Sequence, residues 1–246
     1  MLSIPRYGIL LVLGVLPSLL WLAYFLRKDC HPEPKVLLAR TFLMGIIVSP
    51  LAIILQLLAV SVIRQLGGGA LDYTAIQLTP SFLTWAALSE EIIKFLAVWI
   101  VVIRSPEFDE PVDAMIYMVT AAMGFAAMEN ILVVNRAIPD GLNAALGVIA
   151  LRFIGATLLH ALSSALVGYF VAMAWFFHSH RRWLLLAGLV FATSLHVVFN
   201  MFISSGANQY FSMGYTTLLL IVMAFLISAL FDKIRERGMA GRVRLA

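Results

Sequence analysis

With 246 residues, 62% hydrophobic and only 12% charged, and a mean hydropathy of +0.98, the chain has too little polar surface to cover a water-soluble core, which excludes a soluble globule. The net charge of +4 and pI near 9.4 invite a nucleic-acid reading, but the basic residues are dispersed over loops and tail as membrane topology requires, so no nucleic-acid partner is expected. The single cysteine, Cys30, excludes an intramolecular disulfide and, alone, a thiolate zinc cluster.

Runs of about 20 or more mainly apolar residues mark membrane spans. They predict an all-α, polytopic transmembrane helix bundle of about seven spans, at 7–26, 36–63, 79–103, 112–134, 148–177, 183–203 and 214–231. The whole chain, 1–246, reads as one membrane-embedded domain. Its catalytic core is 79–203, its accessory spans are 7–63 and 214–231, and a basic tail, 232–246, can meet anionic lipid. The basic residues orient it. With the N-terminus outside, the cytoplasmic segments hold twelve of them: Arg27, Lys28, Lys35, Arg40, Arg104, Arg181, Arg182, Lys233, Arg235, Arg237, Arg242 and Arg244. The outer segments hold Arg6, Arg64 and Arg136, so the C-terminus is expected inside. The first span lacks an A-x-A site and is followed by Arg27-Lys28, a stop-transfer flank, which argues against a cleaved signal.

The first two spans, with Pro17 and Pro50 inside them, read as scaffold, and the loop after them carries Gly67-Gly68-Gly69, a linker or a gate. Thr79-Pro80 is a helix start, a cap followed by proline in the first turn. It places Glu90 about 16 Å below the outer surface. In that third span Glu90, Glu91 and Lys94 interrupt an apolar run, where each ion costs about 3 kcal/mol or more against an apolar residue. Lys94 lies three residues after Glu91 and four after Glu90, so it can neutralise one carboxylate. We expect Glu91 to be that partner, which leaves Glu90 free.

The fourth span is rich in small residues (Ala121, Ala122, Gly124, Ala126, Ala127), which let helices approach closely, so it belongs inside the bundle. Near its outer end stand Phe125, Glu129 and Asn130. Asp113 lies about 24 Å from Glu129 along that helix and cannot share a site with it. The fifth span carries Arg152, His160, Ser163 and Ser164; the sixth carries His196 and, one turn later, Asn200. A lone intramembrane histidine is more often a hydrogen-bonding partner between helices than a ligand. The seventh span has no ionisable residue before Asp232 and closes the bundle.

The polar residues converge in depth. Measured from the outer boundary, Glu90 is about 16 Å down, Glu129 about 8 Å, His160 about 18 Å and His196 about 12 Å. Structural polar groups would scatter, so one layer drawn from four spans points to a single site. Two chemistries fit. In one, Glu129, His160 and His196 bind zinc with an open position, and a remaining glutamate takes a proton from the bound water. In the other, Glu90 activates water directly while His196 and Asn200 donate to the oxyanion.

EEIIK at 90–94, EPVDAMIY at 110–117 running into FAAMEN at 125–130, HALSS at 160–164 and HVVFN at 196–200 resemble the signature segments of the PrsW family of intramembrane proteases. That family is related to the CAAX-prenyl-protease and bacteriocin-processing group. The resemblance implies peptide-bond hydrolysis within a bacterial cytoplasmic membrane, on a membrane-spanning protein or peptide substrate such as an anti-sigma factor. Glu90, Glu91, Glu129, His160 and His196 would lie in the active centre. By similarity to the wider group, Glu90 is the general base and His196 with Asn200 stabilises the oxyanion, with Lys94, Phe125, Asn130 and Ser164 in support. The wider group has a histidine where this chain has Glu129, and an arginine one residue beyond Lys94. Two other classes compete: a proton- or cation-coupled transporter, against which stands the lack of any internal repeat, and a non-catalytic membrane-protein partner, which predicts a broken constellation.

Overall fold

The computed structural model describes residues 4–67, 69, 72–204 and 209–243. Among them the secondary structure is entirely helical: α1 (Ile4–Leu26), α2 (Lys35–Leu66), α3 (Tyr73–Gln77), α4 (Pro80–Val101), α5 (Asp113–Ala137), α6 (Leu142–Arg152), α7 (Leu158–Phe176), α8 (Arg181–Ser204) and α9 (Gln209–Val243). A π-helical turn, Phe153–Thr157, joins α6 to α7 without a break in the rod.

Local chemistry explains the boundaries. Thr79 caps α4 by accepting from the Phe82 amide at 3.3 Å, and Pro80 occupies the first turn where a missing N–H costs nothing. Asp72 caps α3 from the Thr74 and Ala75 amides. At the opposite end, Asp113 opens α5 by taking the Asp109 and Glu110 amides at 3.0 and 2.7 Å, which folds the preceding turn onto the helix.

Among the described residues, six helices, counting α6 and α7 as one, are long and apolar enough to cross a membrane. The remaining long helix, α4, has 22 residues and carries Glu90, Glu91 and Lys94 in its middle. Two boundaries differ from expectation. The fifth span starts at Leu142 rather than 148, because the residues after Gly141 continue directly into the rod. The basic segment expected as a tail continues α9 as helix to Val243.

α5 is the axis of the bundle. It is buried along one unbroken stretch, Asp113 through Ala127, and packs on α1, α2 and α7. Its small residues make that possible. A Cβ on Gly124 would strike the Phe42 carbonyl of α2, and one on Gly45 of α2 would strike the Ala121 carbonyl of α5. The two backbones therefore meet directly. α4 and α8 lie beyond, each against the other, and α9 packs on α7 and α8. The main apolar core combines Leu22, Met115, Met123, Leu162, Phe199 and Phe231. The rest of the apolar surface faces outward, as on Ile47, Leu58 and Phe225, where lipid would cover it.

Candidate active site

The site forms where α4, α5, α7 and α8 meet. Lys94 Nζ donates to Glu91 Oε1 at 2.7 Å, and both side chains are completely buried. Glu91 takes three further bonds, from Ser163 at 2.9 Å, Ser164 at 3.2 Å and His196 Nδ1 at 3.0 Å. Four donors, one of them a fixed cation, satisfy this carboxylate, which is the condition for keeping a charge in an apolar interior.

Glu90, its neighbour, is treated differently. Its Oε1 accepts from Gln56 of α2 at 3.0 Å, while Oε2 is buried without a hydrogen-bond partner. His196 Nε2 stands 3.7 Å from Oε2, beyond hydrogen-bond reach. One carboxylate oxygen is thus left facing the interior of the site.

The imidazoles are oriented by partners that can act in only one sense. A carboxylate accepts and an ammonium donates. His196 therefore carries its proton on Nδ1, toward Glu91, and turns the Nε2 lone pair to Glu90. His160 lies between Lys94 Nζ, 3.1 Å from Nδ1, and Glu129 Oε2, 2.9 Å from Nε2, so Nδ1 accepts and Nε2–H donates. The two rings meet edge-on with centroids 5.3 Å apart. Phe125 closes the other side, 5.7 Å from the His160 ring and 5.2 Å below Lys94 Nζ.

Glu129 is held by Arg152 at 3.0 Å as well as by His160. Arg152 also donates from Nε to Asn130 Oδ1 at 2.6 Å, and Asn130 donates to Thr157 of the π turn at 3.1 Å. Asn200 follows His196 by one turn and is half-buried. Among the described residues no hydrogen bond joins it to this set.

The residues singled out in the sequence, Glu90, Glu91, Lys94, Phe125, Glu129, Asn130, His160, Ser164 and His196, thus lie in one connected cluster. The expected ligand set changes. The ligand atoms of Glu90, His160 and His196 lie within 4.8 Å of one another, whereas Glu129 is turned to Arg152. Two nitrogens and one carboxylate oxygen suit a borderline cation such as zinc, and the orphaned Glu90 Oε2 supplies an unused ligand atom. The donor set fits a metal, provided His160 releases one of its two partners.

Three contributors escaped the sequence reading. Gln56 stands in a helix read as scaffold, although it is the only polar residue between Pro50 and Ser61, a signal that an amide is needed at depth. Arg152 was noted only as a cation inside a span, and Ser163 only as a neighbour of Ser164.

Comparison with known proteins agrees with this geometry. A family model described as PrsW family intramembrane metalloprotease matches residues 33–230. The chain is 32% identical over 203 residues to Protease PrsW of Geobacillus kaustophilus (strain HTA426), covering 82% of each protein. It is 30% identical over 200 residues to Protease PrsW of Clostridioides difficile (strain 630), covering 78% of this chain and 77% of that protein. With Protease PrsW of Bacillus subtilis (strain 168) the figure is 29% over 204 residues, 81% of this chain and 85% of the other. No solved structure matches. The family match takes in most of the chain and every residue of the cluster, and we conclude that the chain belongs to the PrsW family of intramembrane proteases.

Proposed function

We propose that Glu90 is the general base of a peptide-bond hydrolysis carried out inside the bundle on a membrane-spanning protein. The observation that carries this is the contrast between two adjacent carboxylates: Glu91 is saturated by Lys94, Ser163, Ser164 and His196, while Glu90 keeps one buried oxygen free. Glu90 Oε2 takes a proton from water, the resulting hydroxide attacks the carbonyl carbon, and the same proton passes to the leaving nitrogen. Asn200 is the amide available to the oxyanion. His196 in its present tautomer offers a lone pair at Nε2 and can donate there only after gaining a proton.

The cluster sets three carboxylates against two fixed cations, Lys94 and Arg152, which leaves one negative charge: a proton on Glu90 would cancel it, and so would a divalent metal carrying one hydroxide. If a metal is bound, Glu90, His160 and His196 are the residues that would hold it, and Glu90 is then a ligand in place of the free base. A bound zinc supplies Lewis-acid polarisation of the carbonyl and a more acidic water. The transporter reading is not favoured, since the chain shows no internal repeat and its matches are proteases.

The distribution of basic residues supports an outer N-terminus and inner C-terminus, in the cytoplasmic membrane of a bacterium. In that orientation Glu90 is ten residues into α4, about 15 Å from its outer end, and water reaches it from that side. A cavity of about 500 Å³ lined by Leu57, Val60, Ser61, Arg64 and Tyr73 opens at the same end, beside the glycine loop expected as a gate. Gly68, in that loop, lies outside the described residues. A helical peptide bond is shielded by its own hydrogen bonds, so the bond cut lies in an unwound segment at or just beyond the outer end of the substrate's span. An anti-sigma factor, as the family resemblance implies, is one such substrate.

The test is a cleavage assay in detergent against single-span substrates of known orientation, with products mapped by mass spectrometry. Glu90→Gln should abolish cleavage while thermal unfolding stays near that of the parent chain. Retention of most activity removes Glu90 as the base, and scissile bonds in the cytoplasmic third of the span overturn the orientation. Stoichiometric zinc by elemental analysis, lost in His160→Ala and His196→Ala together with activity, supports the metal route. Full activity after exhaustive chelation excludes it.

A further inference from the structure

Arg152 has no reacting role in the chemistry described above beyond its charge, yet it makes a salt bridge and a second short hydrogen bond inside the bundle. It reaches across from the end of α6 to two consecutive residues of α5, Glu129 and Asn130. His160, eight residues later, reaches the same Glu129 oxygen from α7: Arg152 Nη2 is 3.0 Å and His160 Nε2 2.9 Å from Oε2.

A regular helix would not allow this. At 3.6 residues per turn, eight residues leave Arg152 and His160 roughly 80° apart around the axis. The π turn Phe153–Thr157 spends more residues per turn, through i→i+5 bonding, and swings the two side chains onto one face. Such a turn loosens the regular bonding of its backbone, and here the Phe153 carbonyl is taken by the Trp21 indole of α1 at 2.8 Å, with the two rings stacked at 5.3 Å. Thr157, fully buried in the same turn, receives the Asn130 amide. The distortion is tied down at both ends, by Trp21 at Phe153 and by Asn130 at Thr157.

From this geometry we infer that Arg152 is a positioning residue of the peptidase site: the π turn brings it beside His160 so that it holds Glu129 as the acceptor of the His160 Nε2–H. The consequence runs through the cluster. With Nε2–H committed to Glu129, Nδ1 faces Lys94, and Lys94 stays on Glu91 and His160 instead of moving to Glu90. Without the guanidinium, Glu129 is an uncompensated charge beside His160. Lys94, the other cation in the cluster, is then drawn toward it, and the division between a saturated Glu91 and a free Glu90 is lost.

The kinetic part of this inference rests on the peptidase reading; the orientation of His160 does not. The experiment therefore has two arms on the full chain in detergent, using Arg152→Met and Arg152→Lys. Nitrogen-15 spectra of histidine-labelled protein, assigned by comparison with His160→Gln, should show His160 as the Nε2-protonated tautomer in the parent chain and a changed or mixed population in Arg152→Met. Cleavage by Arg152→Met should lose ten- to a hundredfold in kcat with KM changed less than threefold. Arg152→Lys keeps a partly buried cation but can engage only one of Glu129 and Asn130, so it stays folded and falls between the two in both readouts. Parental kcat and an unchanged His160 tautomer in Arg152→Lys and in folded Arg152→Met overturn the inference. A fall in Arg152→Met matched by full activity and an unchanged tautomer in Arg152→Lys reduces Arg152 to a partly buried counter-charge, and also overturns it. If Glu90→Gln cleaves as well as the parent chain, the peptidase assignment fails while the tautomer arm still decides the role of Arg152.

Discussion

Adjacent glutamates on a helix point about 100° apart, and in α4 that difference separates a saturated carboxylate from one that keeps an oxygen without a partner. Glu91 points inward to α7 and α8, where two serines, a histidine and Lys94 meet it; Glu90 points toward α2, where Gln56 supplies a single bond. Two expectations belong to this scale. Lys94→Met leaves Glu91 buried without its cation, a loss of about 3–5 kcal/mol, and should appear as a large fall in the thermal midpoint or in yield rather than as a selective loss of turnover. Gln56→Leu removes one hydrogen bond to a carboxylate while keeping volume. Its expected effect is a drop of about tenfold in kcat, the equivalent of about 1.4 kcal/mol, with folding little changed. Parental kcat in Gln56→Leu would show that Glu90 is oriented by packing alone.

At the scale of elements, the site depends on how closely α2 and α5 cross. Gly45 and Gly124 bring the two backbones into contact, which holds Gln56 of α2 against α4 and Phe125 of α5 under His160. Gly124→Leu forces a side chain into the Phe42 carbonyl and has no route to relax except by parting the helices. The cost should exceed the 1–3 kcal/mol or so of ordinary overpacking and abolish activity with it. Gly147→Ala is the matched control, because a Cβ there meets nothing within 4 Å. It should be neutral or slightly stabilising in thermal unfolding, as alanine favours helix over glycine. Equal midpoints for the two variants would deny the close crossing.

Across the whole molecule the two ends of the bundle differ in chemistry. The end nearer Glu90 and Glu91 carries the glycine loop and the cavity, while the opposite end is closed by a polar lock in which the Tyr117 hydroxyl donates to Glu33 and His31 lies 2.9 Å from Glu110. Burial raises the Glu33 carboxyl above its ordinary value, and the bonds from Tyr117 and Asp113 offset this only in part. An acid whose folded-state pKa is raised favours the folded state below its unfolded pKa, and loses that contribution as pH rises through the folded value. Thermal unfolding of the parent chain should therefore weaken as pH rises above the ordinary carboxylate range, and Glu33→Gln, which cannot ionise, should flatten that decline. An equally steep decline in Glu33→Gln would place the pH dependence elsewhere.

The membrane class, the helical architecture and the four segments that carry the site were legible in the sequence because each is written locally. Apolar run length marks a span, small residues mark the inner helix α5, and charges inside apolar runs mark sites whose burial has to be repaid. Helix rotation and offset are not local, and they decided the rest. Whether Lys94 settles Glu90 or Glu91 depends on what α7 and α8 present to each face of α4. Whether Glu129 or Glu90 completes a ligand set depends on Arg152, whose reach is set by a π turn that no residue in Phe153–Thr157 announces. Gln56 became part of the site only because two glycines let α2 come close enough for an amide to touch the carboxylate that the apolar interior had left half-satisfied.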